Sequence, residues 1–329
     1  MPAIVWGMHN QAARRVRLMP EIMTTDELLA RGKSPREIQA LVQRGALLRL
    51  ARGVYASTEF AARLQTVPVG GALLRAAGAL ATAGPGSVIS HETAAQVHGL
   101  DLLKEPSSRV TITRARGGPG SKSGKRGVYV HTAALPADHV GGRLGVAATT
   151  VPRTVIDLAR ALDFRSGLVV ADSALHQHLT SKSELRDVLA ACRRWPGASK
   201  AAAAVEFANG LAESVLESLA RAVFRDLGLP EPELQVEIRD SDGQFIGRVD
   251  FLWRQFRTIA EVDGALKYDD RSRARAQLRR DKLLRAADYE VEHFTWRDIV
   301  HGQDEVGRSL VAAFRLGSQR GGSRSGSAA

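Results

Sequence analysis

The sequence predicts an α/β multidomain protein, and three observations carry that reading. Residues 21–58 hold two capped helical stretches followed by a short β-hairpin; residues 59–205 mix strand-like and helical runs; residues 206–314 run helix, three strands, helix, strand. A length of 329 residues suits two or three domains, and 44% hydrophobic residues can furnish their cores. Lys and Arg number 46 against 35 acidic residues, a formal charge of +11. That excess favours a polyanionic partner, with nucleic acid ahead of membrane and DNA the expected form. Cys192 is the single cysteine, which excludes an intrachain disulfide and any multi-cysteine zinc site and fits a reducing cytoplasm. No apolar run approaches the ~20 residues of a membrane-spanning helix, and the N-terminus lacks a signal-peptide pattern, so a cytoplasmic protein without a membrane partner is expected. Oligomeric state is not legible.

Residues 1–20 read as a basic arm, with Arg14, Arg15 and Arg17 close together. In "TTDELLARGKSPREIQALVQRGALLRLARGVYAS", Thr24 or Thr25 caps a short helix that Gly32 ends. Ser34 caps the next helix, with Pro35 at its first position and Glu37 placed to complete a capping box. Ile38, Leu41 and Val42 form its inner face and Gly45 stops it. The alternation in "LLRLARGVYA" then predicts a two-stranded wing turning at Arg52-Gly53. Helix, helix and β-wing make a winged helix-turn-helix. Its second helix would present Arg36, Gln39, Gln43 and Arg44 to a duplex, while Arg49 and Arg52 ride the wing. A small module for protein contacts would use the same fold. This stretch resembles the N-terminal domain of AbiEi-family antitoxins, chiefly through the "LxRLxRGVYA" wing, and the resemblance implies a DNA-binding autorepressor. "VISHETAAQVHGL", "RVTITRARG", "GVYVHTAAL" and "TTVPRTVIDLARAL" are more loosely similar to the rest of such proteins.

The middle region, 59–205, is expected to be α/β. Ser90 would cap a helix, strands lie near 109–114 and 128–132, and a helix follows Pro152. His91 and His98 are seven apart (98 − 91) and read as structural histidines. Arg153 and Asp157 are spaced for a surface ion pair. The basic, Gly-rich "TRARGGPGSKSGKRG" lacks the spacing of a P-loop and reads as a flexible loop able to touch phosphates. The role of this region is not legible.

In 206–314, "ESVLESLARAVFRDLG" is amphipathic: Leu216, Leu219, Val223 and Leu227 share a face and Gly228 ends the helix. Strands "PELQVEIRD", "GRVDFLW" and "TIAEVDG" follow, then the basic helix "RSRARAQLRRDKLLRAAD" and the strand "YEVEHFTW". Alternation puts Glu261 and Asp263 on one face of their strand, opposite Ala260 and Val262. Asp250, eleven positions earlier (261 − 250) and across a short turn, reaches the same point. Three carboxylates in an apolar hairpin need compensation, and oxygen ligands at ~2.0–2.1 Å would suit Mg²⁺, with Mn²⁺ as a substitute. Residues 315–329 are Gly/Ser-rich and expected to be disordered.

The order Asp, hairpin, Glu-x-X after a Glu-bearing helix resembles the PD-(D/E)xK nuclease superfamily, and more closely its Vsr-like (very-short-patch-repair-like) endonuclease domains. The likeness covers about residues 212–298 and includes "GRVDFLW", "AEVDGALKY", "RRDKLLRAADYEV" and "FTWRDI". It implies a restriction-endonuclease-like mixed sheet flanked by helices and a Mg²⁺-dependent endonuclease hydrolysing phosphodiester bonds. By that resemblance Asp250 and Glu261 are metal ligands and Glu217 is a third acid, although Ser214 and Glu217 also form a capping-box pattern. Asp263 stands where the superfamily expects Lys. Lys267 is the candidate substitute, and Gln235 would orient the water. Arg273, Arg275 and Arg280 are DNA-binding candidates, with Arg273 and Arg275 gripping the backbone, and Arg280 with Asp281 would form a supporting ion pair. The rival reading is a non-catalytic regulator of the antitoxin type with an inert nuclease-like domain, and a third is a protein-interaction module that needs no metal.

Overall fold

The structure is a computed structural model, and it describes residues 21–115, 127–263 and 271–325. The chain forms two compact units. One runs up to Ala161 and takes in Ser183–Ala198; the other comprises Leu162–Lys182 and the chain from Ser199 onward.

The first unit opens with strand β1 (Ile22–Thr24), helices α1 (Thr25–Ala30) and α2 (Pro35–Gln43), and strands β2 (Leu47–Ala51) and β3 (Val54–Ser57). Thr24 and Ser34 both close capping boxes, with Glu27 and Glu37 reaching back to the cap. Each box satisfies N–H groups that a first turn leaves unpaired. Gly53 takes φ +76 at the hairpin turn, a backbone state that costs glycine little. The sheet order is β1-β3-β2. Its strands are apolar on both faces. Leu28, Ile38 and Leu47 cluster on one side with Tyr55 packed against them. On the other side Ile22, Val54 and Ala56 join a larger core.

That larger core belongs to the middle of the chain. It is built by α3 (Thr58–Gln65), α4 (Gly70–Thr82), β4 (Ser87–Ile89), α5 (His91–His98), β5 (Val110–Arg114), β6 (Val128–Thr132) and β8 (Val146–Thr149), and the same unit adds β7 (Val140–Arg143) and α6 (Val151–Ala161). The five strands form a mixed sheet, β6-β5-β4-β8-β7. Residues 21–58 thus share a core with the middle of the chain and lie in the same compact unit. Alanine-rich α4 lies so close to β2 that a Cβ on Gly78 would meet Leu50 Cβ at 2.9 Å.

Two local expectations change here. Arg153 and Asp157 pair at 2.8 Å, but both side chains are buried, at 0% and 2% exposure, rather than on the surface. Asp157 also accepts from Arg160, and the guanidinium of Arg153 lies 4.6 Å over the Trp195 ring. Ser90 stands at the start of α5 without capping it; its hydroxyl accepts from Thr113 instead. His98 contacts the Thr149 carbonyl at 2.7 Å, and His91 stacks on His131 at 3.9 Å.

After α6 the chain changes allegiance three times. Helix α7 (Phe164–His176) belongs to the second unit, most of α8 (Lys182–Ala191) to the first, and α9 (Ala198–Phe207) to the second. The expected boundary at 205 thus falls inside a helix. A buried ion pair explains why α7 leaves the middle region: Asp172 meets Arg221 of α10 (Val215–Asp226) at 2.8 Å, with exposures of 0% and 2%.

Around α10 the second unit adds β9 (Glu233–Arg239), β10 (Phe245–Trp253), β11 (Thr258–Asp263), α11 (Arg271–Ala286), β12 (Glu290–Thr295), α12 (Trp296–His301) and α13 (Gln303–Ser325). The sheet order is β12-β11-β10-β9, antiparallel except for the parallel β11–β12 pair. Phe224, Phe251, Trp253 and Phe314 interlock edge to face or tilted on one side. Leu284 of α11 packs with Ile259 and Val291 on the other. Residues 315–325 are helical, contrary to the expected disorder, because α13 carries on through them. Gly317 is a packing position: a Cβ there would sit 2.1 Å from the Phe256 carbonyl oxygen. Among the described residues no helix is long and apolar enough to cross a membrane.

Candidate functional site

In the second unit the strand pattern brings the acids together. β11 alternates from Ile259, in the core beneath α11, to Glu261 and Asp263 on the same face. The parallel register sets Glu261 opposite His293 of β12. On α11, Gln277, Arg280, Asp281 and Leu284 follow the i, i+3, i+4, i+7 spacing of one helix face. Leu284 anchors that face in the core, and the three polar side chains reach the acids. A Cβ on Gly247 of β10 would stand 2.9 Å from Arg280 Cδ, so glycine there makes room for the arginine stem.

The hydrogen bonds form a chain across four elements. Glu217 accepts from Ser214 Oγ at 2.8 Å, from the Glu213 N–H at 2.9 Å and from Gln235 Nε2 at 2.9 Å. Ser214 accepts the Glu217 N–H in return, so this glutamate serves its helix start and touches the site at once. Gln235 Nε2 also donates to Asp250 Oδ1 at 3.2 Å, and the Val262 N–H donates to Asp250 Oδ2 at 3.0 Å. Gln235 holds φ +52 inside its strand. Such left-handed backbone in a non-glycine residue costs on the order of 1–3 kcal/mol and persists where its surroundings enforce it.

At Glu261 the protein supplies a cation of its own. Arg280 Nη2 donates to Glu261 Oε2. Asp281, its neighbour in sequence, turns instead to His293 Nε2 at 2.9 Å. The expected Arg280–Asp281 pair is thereby replaced, because consecutive residues on a helix project about 100° apart. Gln277 donates to Asp263 Oδ2 at 3.3 Å and reaches His293 Nδ1 at 3.3 Å; that nitrogen lies 3.5 Å from Asp263 and 3.7 Å from Glu261. Burial raises the pKa of Glu217 and of Asp250. Glu261 is pushed up to about 7: burial dominates, Arg280 and His293 pull it down, and Asp250 and Asp281 push it further up.

Compensation is incomplete. Glu261 Oε1, Asp281 Oδ1 and Arg280 Nε are buried without a hydrogen-bond partner, each an arrangement that costs on the order of 1–3 kcal/mol. Glu261 and Asp281 are only 4% and 6% exposed. With His293 they offer one ligand atom each, all within 4.8 Å of one another. The donor set therefore fits a divalent ion at Glu261. Both oxygens of Asp250 already accept hydrogen bonds, so the expected Asp250–Glu261 pair is the less open combination.

Of the residues singled out from sequence, Glu217, Gln235 and Asp250 thus lie along one hydrogen-bonded chain that ends on the Val262 N–H, while Glu261 accepts from Arg280 and Asp263 from Gln277. Arg275 is exposed on α11 and makes no ion pair among the described residues. Lys267 and the side chain of Arg273 lie outside the described residues, as do residues 1–20 and 116–126. His293 and Gln277 were missed. The available signal was the alternation in "YEVEHFTW", which puts an ionisable His293 two positions from core Val291.

In the first unit Arg36, Gln39 and Gln43 lie exposed along α2, with Arg44 exposed at its end and Arg49 and Arg52 exposed on the hairpin. Among the described residues Arg36, Arg44 and Arg52 form no ion pair.

Residues 20–58 match the family described as transcriptional regulator, AbiEi antitoxin. Over 236 residues the chain is 33% identical to the uncharacterized protein Rv2248 of Mycobacterium tuberculosis (strain ATCC 25618 / H37Rv), covering 69% of this chain and 78% of that protein. The uncharacterized protein MT2308 of M. tuberculosis (strain CDC 1551 / Oshkosh) matches to the same extent. The chain belongs to the family of these two mycobacterial proteins. Among solved structures, the RV2827C protein from M. tuberculosis aligns with a TM-score of 0.37 and 17% identity over 58% of this chain and 73% of that one.

Proposed function

We propose that this protein is a DNA-binding transcriptional regulator of the AbiEi antitoxin type, with residues 21–58 acting as a winged helix. One observation carries the reading: the stretch that matches the AbiEi family is also the one that presents Arg36, Gln39, Gln43, Arg44, Arg49 and Arg52 to solvent. Guanidinium groups without acidic partners can neutralise phosphates, and the amides of Gln39 and Gln43 can read base edges in a major groove. The +11 charge adds a longer-range attraction. Fluorescence anisotropy on duplex DNA, including the region upstream of the protein's own coding sequence, tests this. Binding should weaken steeply with salt. Replacing Arg36, Arg44 and Arg52 together by Ala should weaken binding and flatten the log–log salt slope by about 0.9 for each phosphate no longer neutralised. A triple variant that binds as the parent does removes the winged helix from the interface.

The carboxylate network favours a second reading, metal-dependent phosphodiester hydrolysis by the second unit. Asp250 and Glu261 would hold Mg²⁺ or Mn²⁺, which when bound supplies Lewis-acid polarisation of a phosphate. Gln235 fixes the Asp250 carboxylate and ties it to Glu217, while Asp263 occupies the place where the superfamily carries lysine. Incubation with single- and double-stranded DNA, with either metal or with EDTA, decides it. Metal-dependent cutting that Asp250→Ala abolishes supports hydrolysis; no cutting of any substrate leaves the regulator reading alone.

A further inference from the structure

We infer that Glu261, Asp281 and His293 form a mixed oxygen–nitrogen site for a transition-metal dication, Zn²⁺ or Mn²⁺ in preference to Mg²⁺. Three elements contribute one donor each: β11, α11 and β12. Their ligand atoms lie within 4.8 Å of one another, close enough to surround one ion. Independently of the charges, Glu261 Oε1 and Asp281 Oδ1 are buried oxygens of side chains more than nine-tenths buried, and neither has a partner. An ion bound at the triad would offset the incomplete compensation of both acids.

The chemistry of the third donor sets the preference. Imidazole suits zinc and other first-row transition metals, whereas Mg²⁺ favours oxygen and retains its water. The surrounding field also calls for a cation, since Asp250 and Asp263 add negative charge beside Glu261 and His293. Arg280 is the resident cation on Glu261, and a metal would take its place there. The released guanidinium sits on a helix rich in arginine, where it would be available to an anion. The inference rests on the donors alone and on neither functional reading.

The test is metal occupancy of the untagged full chain without DNA, by equilibrium dialysis against ZnCl₂, MnCl₂ and MgCl₂ with elemental analysis. One equivalent of Zn²⁺ or Mn²⁺ should bind, with Mg²⁺ weaker. His293→Gln and Asp281→Asn should each weaken binding by at least about tenfold, and by more than Asp250→Asn does. A loss in Asp250→Asn as large as in His293→Gln, unchanged binding in His293→Gln, or no stoichiometric binding by the parent overturns the assignment. Should a variant fold poorly by circular dichroism, Mn²⁺ broadening of imidazole signals in the parent protein answers the same question. One strongly broadened imidazole supports the site, and broadening that spares every imidazole overturns it.

Discussion

Two buried charge networks, one in each unit, are built on opposite terms. Around Asp157 there is one carboxylate and two arginines: Arg153 and Arg160 each bond one of its oxygens, and both guanidinium groups lie over Trp195. Around Glu261 the ratio is inverted. Asp250, Asp263 and Asp281 crowd the same region, Arg280 is the guanidinium bonded to Glu261, and two carboxylate oxygens have no partner. In the first network both oxygens of the acid are bonded, and the one orphaned atom, Arg153 Nη2, belongs to a cation. The second leaves negative charge unspent, which is what a site for a cation or a cationic partner requires. Burial of charge alone would not separate them; how far each acid is satisfied does.

The strongest way to break this comparison is to remove an acid from each network. Asp157→Ala strands two buried arginines and should cost about 3–5 kcal/mol, read from urea denaturation. A loss below about 1 kcal/mol would mean that the pair is not structurally closed.

Next in size is a pH effect confined to the first network's surroundings. Burial, then His131, Arg153 and Arg160, hold the His91 pKa down at about 3, against 6.5 for the free residue. The folded state therefore favours neutral His91. Its contribution is complete above pH 6.5 and is lost as pH falls toward 3, on the order of 2 kcal/mol by pH 5. His91→Asn, which tolerates the φ of +51 at this position, should reduce that acid sensitivity. An equal pH slope in parent and variant would discount His91.

In the open network the sign should reverse. Asp263→Asn relieves repulsion on Asp250 while its remaining oxygen can still accept from Gln277, and in EDTA it should raise stability by about 0.5–2 kcal/mol. Destabilisation comparable to that of Asp157→Ala would show that the two networks are alike. The smallest effect belongs to the surface: each of Arg36→Ala, Arg44→Ala and Arg52→Ala should change stability by no more than about 0.5 kcal/mol, even where DNA binding is lost.

What could be read from the sequence was local. Thr24 caps α1, Ser34 with Glu37 closes its box, Gly53 stands at the hairpin turn, and α10 precedes β9, β10 and β11 as their patterns indicate. Alternation alone put Glu261 and Asp263 on one face. What escaped depended on partners distant along the chain. Val54 and Ala56 look like ordinary wing residues, and nothing nearby reveals that they face the core of α4. Arg153 and Asp157 have the same spacing whether buried or exposed. His293 joins Glu261 only because β12 pairs in parallel with β11 after the whole of α11 intervenes. Asp281 bonds not its sequence neighbour Arg280 but His293, on β12.

The helical end of α13 bears on how the protein can be shortened or tagged. Composition invites a cut after residue 314, where glycine and serine begin to dominate. Gly317 nonetheless lies against the Phe256 carbonyl, and Ser318 Oγ donates to the Phe314 carbonyl at 2.7 Å. Phe314 itself stacks on Phe256 and packs on Trp253. A truncation at 314 would leave that aromatic residue on a fraying end and loosen the wall behind the sheet that bears Asp250 and Glu261. An affinity handle therefore has to leave Phe314 and Gly317 in place.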